Sequence, residues 1–322
     1  MKDKLGPFFG FLFACSIALI VIGAQNYIIA PFAKASVSSQ EKTSAVSEYI
    51  ENRNTHEFLA CSTYWVRVRT FVVSVPDSIA ERLHGKTSGL CNEGYGTAWT
   101  IDSRGYFATN NHVVDVEKFQ KECLSAIAKK GNIPISEFFG VQMKTDITLS
   151  GPDKFLFKAK VLKTWKNPDI GFLEVDRDYL ARLQAKLGDE YVKPDFIPLP
   201  FRTASPVIKN GIVSEGKGMI VLPDEPIAVL GNPLALPFVL VRGKLGTGTF
   251  WEMGQDGKKE VFVHLVAPLN HGSSGSAILS LLDMKVIGMD SINKSDVGQI
   301  SAHHGMVPFW TIMEKMKEAG LK

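Results

Sequence analysis

Cysteine is scarce. Four residues, Cys15, Cys61, Cys91 and Cys123, occur in 322, and no two stand in a CxxC pair. That excludes a disulfide scaffold and a structural zinc site of the usual spacing. Cys61 and Cys91 are a pair that an oxidising compartment could bridge, although a buried free thiol is the commoner state. Net charge is nearly absent as well. The 36 basic and 33 acidic residues leave +3 and are interspersed, so no nucleic-acid partner is expected. Internal repeats and low-complexity tracts are missing. Hydrophobic residues make up 45% of the chain, enough for a core in one large or two small domains.

Charge is missing altogether between Leu5 and Ala33. A bilayer core takes about 20 apolar residues as helix, and Leu5–Ala24 supplies them. A cleaved signal has a shorter apolar region of roughly 7–15 residues. The small-x-small site Ala33–Lys34–Ala35 lies well past the run, and "LFAC" at Leu12–Cys15 sits inside it. The expectation is an uncleaved anchor through residues 5–24. Lys2 and Lys4 precede it, which leaves the N-terminus in the cytosol and the rest facing outward. This describes a single-pass protein of the inner or plasma membrane with a periplasmic or extracellular domain. Residues 1–34 are read as tip and anchor, 35–58 as a polar linker or stalk, and 59–322 as the folded domain.

From Cys61 onward strand patterns dominate. "YWVRVRTFVVSV" alternates Val66, Val68 and Thr70 against Arg67 and Arg69, as a half-buried strand does. "KFLFKAKVLKTW" sets Phe155, Phe157, Ala159 and Val161 on one face. "GTAWTIDSRGYFATNNHVV" reads as a hairpin turning at Asp102–Gly105. Helical periodicity is confined to three stretches: the segment after His112, residues 177–189 ending on Gly188, and "PFWTIMEKMKEAG" near the end. Short strands, turn residues between them and few helices predict an all-β barrel or sandwich. The strand-rich region is long enough for two small barrels, with 177–189 near their junction.

"LNHGSSGSAIL", Leu269–Leu279, packs two glycines and three serines into six residues. Its glycines permit a tight turn that offers one hydroxyl, of Ser273, Ser274 or Ser276, to a substrate. A serine nucleophile needs a base and an acid to orient that base. Among seven histidines, His56 lies in the linker and His84 in a polar loop, His264 alternates with apolar strand residues, His303 and His304 are adjacent and face opposite ways, and His271 neighbours the serines. His112 differs, standing where the strand "YFAT" ends and a helix begins, a rigidly held position that can still open to a cleft. A capping or core histidine accounts for it about equally well when it is taken alone. Asp169 enters an apolar run after the turn Asn167–Pro168 and needs a hydrogen-bond partner if buried. An imidazole N–H would serve, and so would an Asx-type turn.

Taken in order, these segments resemble the trypsin-like serine proteases, most closely the bacterial HtrA/Deg-type subgroup. The residues that carry the likeness are Gly94–Tyr–Gly96 leading into "TNNHVV" at Thr109–Val114, "DIGFLEVD" from Asp169, "AVLGNPLAL", "NHGSSGSAI" at Asn270–Ile278, and "DMKVIGMDS". It covers roughly Cys61 to Glu318. The resemblance implies two six-stranded antiparallel β-barrels with peripheral helices: barrel 1 over about 59–176, barrel 2 over about 195–308, and a terminal helix over about 309–319. It implies Ser274 as nucleophile, His112 as general base and Asp169 as its orienting acid, with backbone N–H groups of Gly272, Ser273 and Ser274 around the oxyanion. It implies polypeptide substrates and neither cofactor nor metal, and leaves the oligomeric state open. Ser273 replaces the usual Asn or Asp, Ser276 the second glycine and His271 an arginine. No PDZ module is expected before Lys322. "HLVAPLN" contains no acid, so a small or medium apolar P1 side chain is expected rather than a basic one.

Two other functions compete. A catalytically inactive trypsin fold would serve as a membrane-tethered binding or regulatory module. An α/β-hydrolase esterase would use Ser274 with, for instance, Asp296 and His304, but its G-x-S-x-G elbow requires glycine where Ser276 stands.

Overall fold

The alternation that opens the folded domain builds a barrel wall. Strand β1 (Thr63–Ser74) buries Val66, Val68 and Thr70 and leaves Arg67 and Arg69 on its other face. The computed structural model describes residues 51–83, 88–203, 206–209, 212–215, 221–253, 259–293 and 301–321. The apolar run 5–24, most of the polar stretch after it, His84 and Asp296 lie outside the described residues. Among the described residues no helix is long and apolar enough to cross a membrane. Thr55–Lys322 forms one compact unit.

Barrel 1 closes in the order β1, β2 (Gly89–Asp102), β3 (Tyr106–Thr109), β6 (Ile170–Val175), β5 (Leu156–Trp165), β4 (Gln142–Ser150). The hairpin turn lies where the glycine predicts: Gly105, at φ 89°, donates its N–H to Asp102 O at 3.0 Å. The interior is aromatic. Phe107 meets Tyr64, Phe157 and Phe196 with ring centroids 5.1–5.8 Å apart, spacings that favour edge and tilted contacts. Burial pushes the Tyr64 phenol up to about 12. The expected face of β5 is interrupted. Phe157 and Ala159 are buried, but Val161, the last residue before a register shift between Val161 and Lys163, is 36% exposed, and the ladder is locally disrupted at such an irregularity.

Barrel 2 closes in the order β9 (Pro226–Gly231), β10 (Val239–Met253), β11 (Lys259–Leu269), β14 (Ser301–Pro308), β13 (Val286–Asn293), β12 (Ala277–Ser280). Counting from its first strand, this order matches barrel 1, although the sequence shows no repeat. A separate ribbon pairs β7 (Pro206–Lys209) with β8 (Ile212–Glu215). Ile227, Val229, Leu245, Leu265, Ile278 and Ile287 are among the residues that fill barrel 2. A third apolar cluster lies between the barrels. Trp99, Ile170 and Phe172 of barrel 1 meet Leu230, Leu279 and Met289 of barrel 2, together with Ile312 and Met316. The last two belong to the terminal helix, labelled α5 below. This shared core joins the two barrels.

Residues 51–60 are helical and bury Leu59 and Ala60; the helices after β1 are peripheral: α1 (Asp77–Arg82), α2 (Asn111–Val114), α3 (Val116–Gly131), α4 (Arg177–Leu187) and α5 (Phe309–Glu318). Helix α3 carries a correction. The disulfide joins Cys91 of β2 to Cys123 of α3, with Cα atoms 5.5 Å apart, while Cys61 is free and exposed. Packing of α3 on β2 brings these two together across 32 residues of sequence. Closing a loop of that length restricts the unfolded chain and contributes about 3–4 kcal/mol. The double variant Cys91→Ala/Cys123→Ala is expected to lose that much in denaturant unfolding, while Cys61→Ala is expected to lose nothing measurable.

Candidate active site

Burial sets the direction of His112. Strand β3 runs straight into α2, whose Val113 and Val114 insert into the barrel 1 core at 4% and 1% exposure. The short helix is thereby pinned, and His112 is turned outward with 41% of its side chain exposed. Asp169 sits just ahead of β6, at φ 42°, a left-handed conformation that aspartate tolerates better than most residues. Its backbone carbonyl accepts from Asn110 Nδ2 at 3.0 Å, which holds the two segments together.

The carboxylate of Asp169 accepts three hydrogen bonds. Oδ1 takes the backbone N–H of His112 at 3.0 Å. Oδ2 takes His112 Nδ1 at 2.7 Å and the hydroxyl of Ser291 at 2.7 Å. A carboxylate accepts and does not donate, so this contact suits the imidazole tautomer with its proton on Nδ1 and its acceptor at Nε2. The Asx-turn alternative for Asp169 is thus displaced by the imidazole contact. Ser291, from β13, was not singled out in the sequence. Only its position in the strand after the serine turn, in "VIGMDSI", pointed to it.

The serine turn follows β11. Ser273 N–H donates to Asn270 O and Ser276 N–H to Ser273 O, each at 2.9 Å. Gly275 N–H donates to Asp290 O at 2.9 Å, and Asp290 N–H returns a bond to Ser276 O at 3.0 Å. Thr97 of β2 fastens the other side: its N–H donates to Ser274 O at 2.9 Å and its hydroxyl to Gly272 O at 2.8 Å. Of the three candidate hydroxyls, Ser273 and Ser276 are sealed at 1% and 0% exposure, and Ser274 remains half-buried. The hydroxyl of Ser276 occupies space that Gly231 leaves, since a Cβ on Gly231 would come within 2.6 Å of it. This is why serine fits in place of a glycine there.

Among the described residues, neither the N–H of Gly272 nor that of Ser274 donates an internal hydrogen bond. The N–H of Ser273, expected with them, is spent on Asn270 O. Nor does a hydrogen bond join Ser274 Oγ to His112 among the described residues; contacts of this kind commonly tighten only when substrate arrives. The turn nevertheless rests on the junction that holds His112. A Cβ on Gly275 would lie 2.2 Å from Thr97 O, 2.5 Å from Thr109 Oγ1 and 3.2 Å from Asn110 N. Gly275 also has φ 87°, where a side chain is strained. Gly275→Ala is therefore expected to push Ser274 out of register and lower any Ser274-dependent turnover by about 100-fold, with the midpoint of unfolding measured alongside.

The other histidines lie elsewhere. His56 Nε2 contacts Phe238 O at 3.2 Å. His264 packs in β11 against Gly246 of β10, and His271 is exposed beside the turn. His303 and His304 pair in register with Val266 and Leu265.

Two barrels of identical strand order, with the His112–Asp169 pair on one and a glycine-bounded serine turn on the other, are the architecture of a trypsin-type peptidase. The chain belongs to that family: the model described as "Trypsin-like peptidase domain" matches residues 96–289. Among solved structures it is similar to "HtrA-type protease AlgW", solved with a tripeptide, at TM-score 0.50 and 15% identity. That alignment covers 83% of this chain and 62% of the other, so the likeness is one of fold. No curated protein matches it.

Proposed function

We propose that this protein is a serine endopeptidase that cleaves exported or misfolded polypeptides through an acyl-enzyme. The observation that carries the proposal is the 2.7 Å contact of His112 Nδ1 with Asp169, which engages one ring nitrogen and leaves Nε2 to serve Ser274, the one open serine of its turn. Ser274 Oγ attacks the peptide carbonyl carbon as its proton passes to His112 Nε2. The oxyanion is held by the N–H groups of Gly272 and Ser274. His112 then gives the proton to the departing amine. Water attacks the ester by the same route, and Ser274 recovers its proton as the acid leaves. Every step is proton or acyl transfer, so no cofactor is called for.

The proposal includes attachment to the membrane through residues 5–24, with the peptidase domain facing the periplasm or exterior. The Cys91–Cys123 disulfide supports that side, because structural disulfides persist in oxidising compartments. A fluorophosphonate probe is expected to label the wild type and to fail on Ser274→Ala and His112→Ala; labelling that survives Ser274→Ala overturns the nucleophile. The open Ser274–His112 contact favours one rival, a tethered binding module without catalysis. Casein hydrolysis that disappears in His112→Ala dismisses that rival.

A further inference from the structure

The register of β1 against β2 puts more than Thr97 beside the serine turn. Trp65 pairs with Thr97 and Arg67 with Tyr95, and directly paired residues project to the same side of a sheet. Val66, Val68 and Ala98 point into barrel 1, so Trp65, Arg67, Tyr95 and Thr97 share the outer face. Thr97 touches the turn from that face through its bond to Gly272 O. One step further along it, the rings of Trp65 and Tyr95 stack, with centroids 5.4 Å apart and planes 20° from parallel. Tyr95 stays 37% exposed. The adjacent guanidinium of Arg67 is bonded to Glu93, which leaves the surface there aromatic with its charge paired.

A second apolar element converges on the same residue. Asn232 donates to Thr97 Oγ1 through its backbone N–H at 3.2 Å and its Nδ2 at 3.0 Å. The short turn Pro233–Ala235 that follows packs against β2, and Leu234 N–H donates to His271 O at 2.6 Å. Leu234 has φ 52° and is 63% exposed; Leu236 is 57% exposed. A left-handed conformation is unfavourable for leucine, and here the backbone is held that way by the bonds of Asn232 to Thr97 and of Leu234 to His271 in the serine turn.

We propose that Trp65, Tyr95 and Leu234 form a shelf that receives an apolar or aromatic side chain of the polypeptide substrate. Tyr95 stands two residues along the strand from Thr97, a distance of about 7 Å. The side chain received therefore lies about two residues from the bond presented to Ser274. The occupant is a substrate polypeptide because the shelf is continuous, through Thr97, with the turn that would attack it. In this the inference rests on the endopeptidase reading, and it adds a specificity that the His112, Asp169 and Ser274 arrangement does not supply.

The test is peptide binding to the full chain carrying Ser274→Ala, which removes turnover from the measurement. Fluorescein-labelled hexapeptides, varied one position at a time between Phe, Leu, Asp and Lys, are titrated by fluorescence anisotropy. Phe or Leu at one position is expected to bind about tenfold more tightly than Asp, as one stacked, buried side chain allows. That preference is expected to disappear when Tyr95→Ser or Leu234→Asn is added. Val192→Ser, at an exposed position outside the shelf, should preserve it. Binding that is undetectable, indifferent to side chain, or unchanged in both shelf variants overturns the proposal. Selective binding by a protein whose wild type is not labelled by fluorophosphonate would instead remove the peptidase reading and leave the shelf in place.

Discussion

Replacing Ser274 with alanine is expected to lower kcat for peptide hydrolysis by about a million-fold, with KM nearly unchanged. The side chain lost is the only open hydroxyl of its turn, and Ser273 and Ser276 are too buried to substitute for it. Asp169→Asn tests the partner that orients the base. Oδ1 accepts the His112 backbone N–H, and Oδ2 accepts both Nδ1–H and the Ser291 hydroxyl. An asparagine amide turned one way sets its NH2 against the backbone N–H. Turned the other way, it donates to Nδ1, moves the ring proton to Nε2 and removes the base. A loss of about 10,000-fold in kcat is expected, read from initial rates on a quenched peptide. Hydrolysis that persists in Ser274→Ala would overturn Ser274 as the nucleophile, and a wild type that hydrolyses nothing would return the protein to the class of binding modules.

Arg202→Met is expected to be the most damaging single change away from the site. Arg202 is fully buried in the domain, bonded to Glu225 through Nη1 at 3.1 Å and through Nη2, and to Asp283 through Nε and Nη2 at 2.9 Å each. Burial alone would lower the Arg202 pKa, but the two carboxylates more than offset it and hold the group above its ordinary value. Glu225 also accepts from Leu222 N–H at 3.1 Å and from the Ser280 hydroxyl. Removing the cation strands a buried carboxylate, which costs about 3–5 kcal/mol, or a fall in Tm on the order of 10 °C. Adding Glu225→Gln to Arg202→Met should recover part of the loss, since the amide oxygen still serves Ser280 without a charge. A calorimetric scan showing no difference between wild type and Arg202→Met would refute the account. The effect should reach the site too, because Ser280 and Asp283 belong to the β12–β13 hairpin that leads to Ser291.

Much of the fold is written in local pattern. The alternation of Val66, Val68 and Thr70 with arginines is the barrel wall, and the turn at Asp102–Gly105 lies where glycine and aspartate favour it. Patterns fail where a neighbour decides. Val161 is exposed at the point where β5 slips against β6, and no property of "KFLFKAKVLKTW" announces that slip. The second barrel repeats the strand order of the first without repeating its residues, since pairing order depends on which edges meet. Arg202 reads as one more surface arginine until Glu225 and Asp283 are brought to it. Cys91 pairs with Cys123 rather than Cys61 for the same reason: helix packing, not spacing, sets the distance between thiols.

For the site itself, local pattern supplies the chemistry on offer: an imidazole at a strand-to-helix junction, an aspartate entering a strand, and three serines in a turn with two glycines. Contacts between distant segments chose among them. They sealed Ser273 and Ser276 and left Ser274 open. They spent the Ser273 N–H on Asn270 while leaving those of Gly272 and Ser274, brought Ser291 to Asp169 and set His112 Nδ1 against the same carboxylate. The physical reason is that exposure and hydrogen-bond direction are set by atoms remote in the chain. A residue's identity states what it can donate, accept or attack, and its neighbours in space settle which of these it does.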